Sequence, residues 1–157
     1  MGHTVNSIVI NAPYKLVFDI SNHIERWTEL FGKEYASADV LERKDIKGTG
    51  NIEITFRLTD EDGKSWVSKR WLYKDLKFAY AQRWDPLFPF LYMKIVWFYT
   101  ESSEGIKMTW IQDFEMDPKF TKFTAEQIEG FINKHSQDNM KIFKKVIEAE
   151  ALVGKKG

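Results

Sequence analysis

The sequence predicts an α+β fold in which one antiparallel sheet curves around a long C-terminal helix. Two observations support this prediction. Between residues 34 and 116 the apolar pattern repeats every two residues, and short turn sequences divide it into six runs. After Pro118 the apolar residues recur at steps of three and four, as in an amphipathic helix. One strand and two short helices precede the six runs, so strands and helices are segregated along the chain.

The N-terminal elements are predicted as a strand followed by two short helices. Residues 3–11 are rich in β-branched side chains, which favours a strand. Pro13 fits the first turn of a helix, and apolar residues at helical spacing continue that helix to Asn22. A second helix is predicted over residues 24–31, because Gly32 follows it as a stop signal.

Six further strands and one long helix make up the rest of the chain. We predict the strands near residues 34–43, 51–59, 64–73, 77–84, 90–100 and 105–116. Short polar or glycine-containing turns separate them, which implies antiparallel hairpins. The final helix begins near Thr124, where Gln127 is placed to form a capping box. Its length of about 40 Å is enough to cross the sheet.

Composition narrows the function classes. The chain has 157 residues, so we expect one globular domain over residues 1–157 with a core from about residue 3 to residue 150. It contains no cysteine, which excludes disulfides, thiolate zinc sites and cysteine nucleophiles. The formal net charge is +0, so no overall field draws the protein to nucleic acid or to an anionic membrane. The N-terminal residues lack the pattern of a secretory signal, and we expect a cytoplasmic protein.

Aromatic residues are unusually common. The chain has 12 Phe, 6 Trp and 6 Tyr, which together make up 15% of it. They indicate either a core built of large side chains or a cavity with flat apolar walls. Composition alone favours the core.

One predicted strand carries a polar residue whose orientation is ambiguous. On residues 64–73, Arg70 shares one face with Trp66 and Ser68, but the other face is also aromatic. If Trp66 points inward, Arg70 does too and becomes a fixed cation among apolar walls. Spacing alone favours the opposite interpretation, an exposed arginine on a solvated face.

A second strand gives a clearer indication of a polar residue on an inward face. On residues 105–116, Gln112 is the one polar member of a row that includes Trp110. A structural amide and an amide that faces a cavity fit that pattern about equally well.

The three histidines are scattered without metal-ligand spacing, so we predict no metal site. His135 lies on the apolar stripe of the last helix and is expected to be a core histidine with a satisfied ring.

The sequence resembles the single-domain polyketide aromatase/cyclases of the tetracenomycin and spore-pigment type. The resemblance extends over nearly the whole chain and is most specific at Asn6–Pro13, Ile24–Phe31, Glu34–Ala36, Trp66–Ser68 and Met108–Phe114. This chain departs from the family's pattern in three places. Residues 88–94 are more apolar, Thr28 replaces a proline, and one residue is added before Tyr35.

This resemblance implies both a fold and an activity. The fold is the helix-grip fold of the START and birch-pollen-allergen superfamily, in which a seven-stranded antiparallel sheet grips the C-terminal helix over an interior cavity. The activity is that of a cofactor-independent enzyme. It takes a linear poly-β-ketone from an acyl carrier protein and directs an intramolecular aldol condensation, followed by dehydration to an aromatic ring.

The resemblance also implies a role for particular residues. Arg70 is expected to stabilise the enolate and the alkoxide, and Tyr35 to relay a proton, so both are predicted to be catalytic. The predicted substrate-binding residues are Trp27, Trp66, Ser68, Gln112, Trp110, Tyr92 and Met93. The resemblance reverses the interpretation of Arg70 drawn from spacing, since Trp66, Ser68 and Arg70 then face inward together.

Two other functions remain open from the sequence. A non-catalytic carrier of a hydrophobic ligand would use the same fold, because many proteins of this fold only bind. A scaffold or co-chaperone domain would have a packed interior. A continuous cavity that reaches Arg70 and Tyr35 would favour the enzyme or the carrier, and turnover would separate those two.

Overall fold

The computed structural model describes residues 1–83 and 87–156, without the side chains of residues 155 and 156. The elements are β1 (Gly2–Ile10), α1 (Tyr14–Ser21), a 3-10 helix (Ile24–Arg26), α2 (Trp27–Leu30), β2 (Tyr35–Asp45), β3 (Ile52–Asp60), β4 (Ser65–Tyr73), a second 3-10 helix (Lys74–Leu76), β5 (Phe78–Arg83), β6 (Phe90–Ser102), β7 (Gly105–Met116) and α3 (Ala125–Lys156). The helix predicted over residues 24–31 is divided into a 3-10 helix and α2. Trp84, the last residue of the strand predicted over 77–84, lies outside the described residues.

The seven strands form one antiparallel sheet, with neighbours in the order β1-β7-β6-β5-β4-β3-β2. Each of the strands β2 to β7 pairs antiparallel with its neighbours in sequence, as predicted, and β1 completes the sheet beside β7. Strand β2, at the other edge, has irregular register at Tyr35/Ser37 and at Val40/Glu42. Such irregularities typically increase the local twist of a strand. The predicted α+β helix-grip architecture is confirmed.

Helix α3 is anchored at its start and along β1. The backbone N–H of Thr124 donates to Gln127 Oε1 at 2.8 Å, and the backbone N–H of Gln127 donates to Thr124 Oγ1 at 3.2 Å, which is the predicted capping box. The buried Asn6 of β1 bonds to two residues of the helix, Asn133 at 3.0 Å and Gln137 at 3.1 Å. In the described part of the chain, no helix combines the length and apolarity needed to span a membrane.

The buried face of α3 is narrower than the sequence predicted. Met140, Phe143 and Ile147 are fully buried, whereas Phe131 is 53% exposed. His135 is also exposed, so the expectation of a core histidine is wrong. Its ring lies at the edge of the apolar stripe, where it reaches the chain just before β2 rather than the core.

Candidate functional site

The inner face of the sheet, α2 and α3 enclose a cavity of about 140 Å³. A small side chain on β5 contributes to this space, because Ala81 lies opposite Arg70 of β4 in the sheet and leaves room beside it. Every residue that the sequence predicted for the site lines the cavity, except Tyr92. The interior therefore contains the continuous space that reaches both Arg70 and Tyr35.

Arg70 is a buried cation at the deep end of this cavity. Its side chain is 1% exposed, and its Nε donates to Asn22 Oδ1 at 2.9 Å. Within residues 1–83 and 87–156, it forms no ion pair with a carboxylate, and its Nη2 has no hydrogen-bond partner. Burial lowers the pKa of Arg70 to about 10, against a smaller opposing effect of Tyr99, so the guanidinium is still charged at neutral pH. Buried charges are normally paired, and an unpaired one in a cavity points to a ligand.

A small polar network fixes the orientation of Arg70. The Asn22 side chain follows the end of α1, and its Nδ2 donates to the Phe18 carbonyl at 2.9 Å and to Tyr99 Oη at 3.0 Å. Tyr99 of β6 is hydrogen-bonded in turn to Ser21 Oγ at 2.7 Å. These two hydrogen bonds fix the Asn22 NH₂ group, so its side-chain oxygen faces Arg70 Nε. Nη2, at the other end of the guanidinium, has no partner among the described residues.

Tryptophans enclose the guanidinium from the sides. The Arg70 Cζ atom lies 4.1 Å from the Trp97 ring centroid and 5.4 Å from that of Trp27. Trp97 stacks on Trp110 with centroids 4.3 Å apart and planes 9° apart. The electron-rich ring faces stabilise the cation without neutralising it. The aromatic composition therefore forms both a core and the flat walls of a cavity.

Tyr35, at the start of β2, lies in an aromatic corner beside Trp66 and Phe31, with ring centroids 6.1 Å and 5.3 Å away. Burial raises the pKa of Tyr35 well above its ordinary value, and the neighbouring Glu34 carboxylate acts in the same direction. Arg83 opposes this effect through its positive charge. The Tyr35 hydroxyl is therefore protonated at neutral pH and can donate a hydrogen bond into the cavity.

A second arginine reaches the cavity from β5. The Arg83 Cζ atom lies 5.5 Å from the Trp66 ring centroid and 5.3 Å from that of Phe90. Its Nη1 is buried and has no hydrogen-bond partner among the described residues. Burial lowers the pKa of Arg83, while the nearby Tyr35 and Glu34 raise it. Arg83 thus supplies a second cationic donor, closer to Tyr35.

Gln112 and Ser68 are the neutral polar groups predicted for the site. Gln112 lines the cavity from β7, where its Oε1 accepts a hydrogen bond from Ser136 of α3 at 3.2 Å and its Nε2 lies 3.9 Å from the Met93 sulfur. Its partners are thus side chains of the cavity wall rather than backbone groups. Ser68 is buried on the same face of β4 as Arg70.

The buried polar atoms of the cavity wall that lack a hydrogen-bond partner in the described structure are all N–H donors. In the described part of the chain, four buried polar side-chain atoms have no hydrogen-bond partner, and three of them are N–H donors on residues that line the cavity: Arg70 Nη2, Arg83 Nη1 and Trp110 Nε1. The fourth is Thr4 Oγ1 of β1. A buried donor without an acceptor is costly, so the cavity is complementary to a ligand rich in hydrogen-bond acceptors.

The mouth of the cavity lies where lining residues become exposed. His135 Nε2 pairs with Glu34 Oε2 at 2.9 Å, and the side chain of Asn139 donates to the same oxygen at 3.3 Å. The hydrogen bond to Glu34 raises the pKa of His135, with charge effects of Glu34 and Asp138 in the same direction and of Lys134 in the opposite one. These contacts tie α3 to the chain before β2, across the opening.

The substrate-binding prediction for Tyr92 needs correction. Adjacent residues of a strand point to opposite faces of the sheet, so Met93 and Tyr92 of β6 cannot both face the cavity. Met93 is buried and lines it, whereas Tyr92 is on the outer face, where Lys94 Nζ lies 5.4 Å from its ring centroid.

Sequence reasoning missed several residues of the site: Asn22, Glu34, Arg83, Trp97, Tyr99, His135, Ser136 and Asn139. Trp97 and Tyr99 alternate with outward residues of β6 and could have been placed inside by that alternation. Asn22 had no such signal, because its partner Arg70 is 48 residues away along the chain. In the part of the chain that the structure describes, no three His, Cys, Asp or Glu side chains are grouped closely enough to hold a metal ion.

The sheet, the long helix and the interior cavity define a START-like helix-grip protein. Solved structures with this fold include a START superfamily protein from Mycobacterium smegmatis, with a TM-score of 0.65 and 13% identity over 96% of this chain and 97% of that one. The Zhui aromatase/cyclase from Streptomyces sp. R1128 has a TM-score of 0.66 and 16% identity over 95% of this chain and 92% of that one. The di-domain ARO/CYC BexL of the BE-7585A pathway has a TM-score of 0.71 and 19% identity over 94% of this chain. This chain spans 47% of that two-domain protein.

Sequence relatives identify the family within that fold. A Streptomyces cyaneus protein named "Putative polyketide cyclase" is 43% identical over 152 residues, which cover 94% of each chain. A Streptomyces halstedii protein of the same name is 43% identical over 115 residues, 70% of this chain and 98% of that one. No protein-family model matches the sequence. The chain belongs to the polyketide cyclase family, as its sequence predicted.

Proposed function

We propose that this polyketide cyclase closes a ring in a poly-β-ketone by intramolecular aldol condensation and then removes water to give an aromatic ring. The main supporting observation is the set of unpartnered N–H donors around the unpaired guanidinium of Arg70. A poly-β-ketone carries a carbonyl oxygen, which only accepts hydrogen bonds, on every second carbon of its chain. Its chemistry therefore matches the donors of this cavity.

The first step forms the carbon–carbon bond. A methylene between two ketones is already acidic, and loss of its proton to solvent gives an enolate. The enolate carbon attacks a carbonyl carbon further along the same chain, and the negative charge moves to that carbonyl oxygen as an alkoxide. Arg70 is oriented to donate to these oxygens from a site without a competing carboxylate. Removing one donor of this kind from an oxyanion site typically slows a reaction by about 10²–10³.

The second step removes water. The alkoxide takes up a proton to become an alcohol, and loss of a neighbouring C–H proton expels the hydroxyl group as water. We assign Tyr35 the role of donating the proton to the departing oxygen, because its hydroxyl is protonated at neutral pH and lines the cavity. Its raised pKa makes it a weaker acid than a free tyrosine, and the positive charge of Arg83 offsets part of that rise. Arg83, whose charge opposes that rise, would stabilise the phenolate that remains until Tyr35 takes up a new proton. Enolisation of the remaining ketones then gives the aromatic ring.

Positioning is the other contribution of the protein. A flexible poly-ketone can close many different rings, and holding one carbon beside one carbonyl selects among them. The flat faces of Trp27 and Trp66 suit a chain that becomes planar. We assign to Ser68 and Gln112, which also line the cavity, the role of orienting carbonyl oxygens. The poly-ketone is reactive in water, so we propose that it arrives attached to an acyl carrier protein and enters through the mouth.

Reconstitution with a minimal polyketide synthase tests this proposal. We expect one dominant ring pattern when the protein is added and a mixture of spontaneously cyclised products when it is omitted. Arg70→Met should give the mixture although it is folded by circular dichroism. The matched control is Arg57→Met, which removes an exposed arginine from β3 and should keep the dominant product. Identical products with and without the wild-type protein, despite ligand binding, would assign it to the non-catalytic carriers instead.

A further inference from the structure

The outer face of the sheet, which points away from α3, carries an aromatic surface. Alternation along β4 puts Trp71 and Tyr73 on this face, because Arg70 faces the cavity. Trp71 stacks on Tyr80 of β5 with ring centroids 5.5 Å apart, and Tyr73 stacks on Phe78 with centroids 4.7 Å apart. These four outer rings are only half-buried, because α1, α2 and α3 pack on the inner face.

The aromatic surface continues across the sheet as two parallel rows of side chains. The strand register defines these rows, since residues opposite each other on neighbouring strands lie side by side. The first row is Trp71, Tyr80, Val96, Ile111 and Val5, and the second is Tyr73, Phe78, Phe98, Thr109 and Ser7. We call these ten residues the outer band. A sheet face that meets water is normally polar, and a contiguous apolar patch on it typically marks an interaction site.

The charges on β7 indicate what covers the outer band. The outward residues of this strand are, in order, Lys107, Thr109, Ile111 and Asp113, so a cation and an anion flank two neutral residues. A two-fold axis that crosses β7 between Thr109 and Ile111 would place Lys107 of one copy opposite Asp113 of the other, and the pair would form twice. Asp113 Oδ1 contacts His3 Nδ1 at 2.5 Å in its own chain, and a carboxylate has a second oxygen for the lysine. The surface is thus complementary in charge to a copy of itself.

The same axis also matches the apolar residues of the outer band. It brings together three further pairs across the interface: Val96 with Phe98, Tyr80 with Phe78, and Trp71 with Tyr73. The two sheets then pack face to face, as in a β-sandwich. The outer band and the flanking charges extend over five strands and about 20 Å along β7, a flat area of roughly 500 Å². Projecting side chains expose more surface than this flat area, so the face reaches the about 600 Å² per partner of the smaller stable interfaces.

We infer that this protein forms a symmetric dimer through the outer band, in which Lys107 of each copy pairs with Asp113 of the other. This inference goes beyond the proposed function and does not depend on it. The mouth of the cavity lies on the side of the sheet that carries α3, so the dimer leaves the mouth of each copy free. The net charge of +0 adds no long-range repulsion between the two copies.

Sedimentation velocity of the full chain tests the dimer. Between about 1 and about 100 μM the mass should rise from 18.5 kDa towards twice that value, because an interface near the lower end of the stable size range gives micromolar affinity. Val96→Glu places two carboxylates beside the axis and should keep the protein monomeric. If Val96→Glu does not fold, Val5→Glu, at a more exposed position of the same row, serves in its place. The matched control is Leu41→Glu, which puts the same acid at an exposed apolar position of β2 and should leave the dimer intact.

Two sedimentation results would overturn the inference. A wild-type protein that stays monomeric up to about 100 μM would leave the outer band to a partner other than a second copy. A dimer that persists in a folded Val96→Glu variant would place the interface on another surface.

A zero-length cross-link identifies the contact itself. A carbodiimide joins a lysine amine to a carboxylate as an amide and takes up the water that is lost, and it does so only where the two groups touch. Within one chain Lys107 and Asp113 are about 20 Å apart along β7, so an amide between them can form only between two copies. Mass spectrometry should find this cross-link in the wild-type dimer and not in Val96→Glu. Its absence from the wild-type dimer would overturn the two-fold arrangement.

Charge reversal separates the symmetric pair from unspecific apolar association. Lys107→Glu and Asp113→Lys should each weaken the dimer about tenfold, because each change makes both pairs like-charged. The double variant restores opposite charges and should recover most of the affinity. A double variant that associates no more tightly than either single variant would overturn the pairing.

Product analysis keeps this inference separate from the proposed function. Val96 faces away from the cavity, so a folded Val96→Glu monomer should give the same dominant product as wild type in the reconstituted synthase. A wild-type protein that dimerises but changes no product would contradict the cyclase function and leave the dimer intact. A wild-type monomer that fixes the product pattern would overturn the dimer and leave the cyclase function intact.

Discussion

Replacing Arg70 with methionine should remove the activity without destabilising the protein. Burial lowers the pKa of Arg70 from the ordinary range above 12 to about 10. Each unit of pKa corresponds to about 1.4 kcal/mol, so holding the charge inside the folded protein costs about 3 kcal/mol at neutral pH. The folded protein has the lower pKa. The cost is therefore present in full below pH 10, where both states carry the proton, and it decreases as the pH rises through 10.

Methionine fills the space of the arginine stem and removes this cost. Against that gain, Asn22 Oδ1 loses its donor, which costs about 1–3 kcal/mol. The loss of the cation from the ring faces of Trp97 and Trp27 costs up to about 2 kcal/mol more. The gain and the losses nearly cancel, so the free energy of unfolding of Arg70→Met should lie within about 2 kcal/mol of wild type. Denaturant unfolding at pH 7 measures this, and the reconstituted synthase measures activity on the same preparation. A loss of 3 kcal/mol or more, as when a buried ion pair is broken, would show that Arg70 is a structural residue and would refute this reasoning.

Three further substitutions or conditions test other parts of the site. Asn22→Asp places a carboxylate against Arg70 and should lower the rate of ring closure by about 10²–10³ in the synthase assay. Full activity of this variant would contradict the need for an unpaired cation. Tyr35→Phe should slow dehydration by about 10²–10⁴, so that mass spectrometry detects a product heavier by one water, and normal dehydration would exclude Tyr35 as the acid. His135 has a raised pKa, so its pair with Glu34 holds at low pH and is lost as the pH rises through that pKa. If this pair slows entry through the mouth, stopped-flow quenching of tryptophan fluorescence should show faster ligand entry above that pKa for wild type and a flat pH profile for His135→Asn. A flat wild-type profile would show that the pair does not control entry.

Much of the fold follows from local patterns in the sequence. Period-two alternation and turn residues place the strands within a few residues of their observed bounds, and Thr124 with Gln127 marks the start of α3. The width of the buried face of α3 is harder to predict from the sequence, because it depends on where the elements that pack against the helix end. His135 was expected in the core for that reason and lies at the mouth instead.

The site was less accessible to pattern reasoning than the fold. Alternation groups Arg70 with Trp66, but it does not tell which face of β4 is inside when both faces are aromatic. Trp71 stacks on Tyr80 on the outer face, so aromatic residues do not mark the core here. The resemblance to known cyclases supplied the missing choice. Asn22 could not be found by either route, since its contact with Arg70 depends on the fold bringing α1 beside β4.

The ionisation of a bound phenol tests most directly whether Arg70 stabilises oxygen anions inside the cavity. The absorbance of 4-nitrophenol reports its ionisation, and a pH titration with saturating protein gives the pKa of the bound form. We expect the pKa of bound 4-nitrophenol to lie below its value in water with wild type, and above it with Arg70→Met, where the apolar walls alone act. The contrary result would be that 4-nitrophenol bound to the wild-type protein keeps its proton at pH values above its pKa in water. Such a result would contradict the claim that Arg70 stabilises oxygen anions in the cavity.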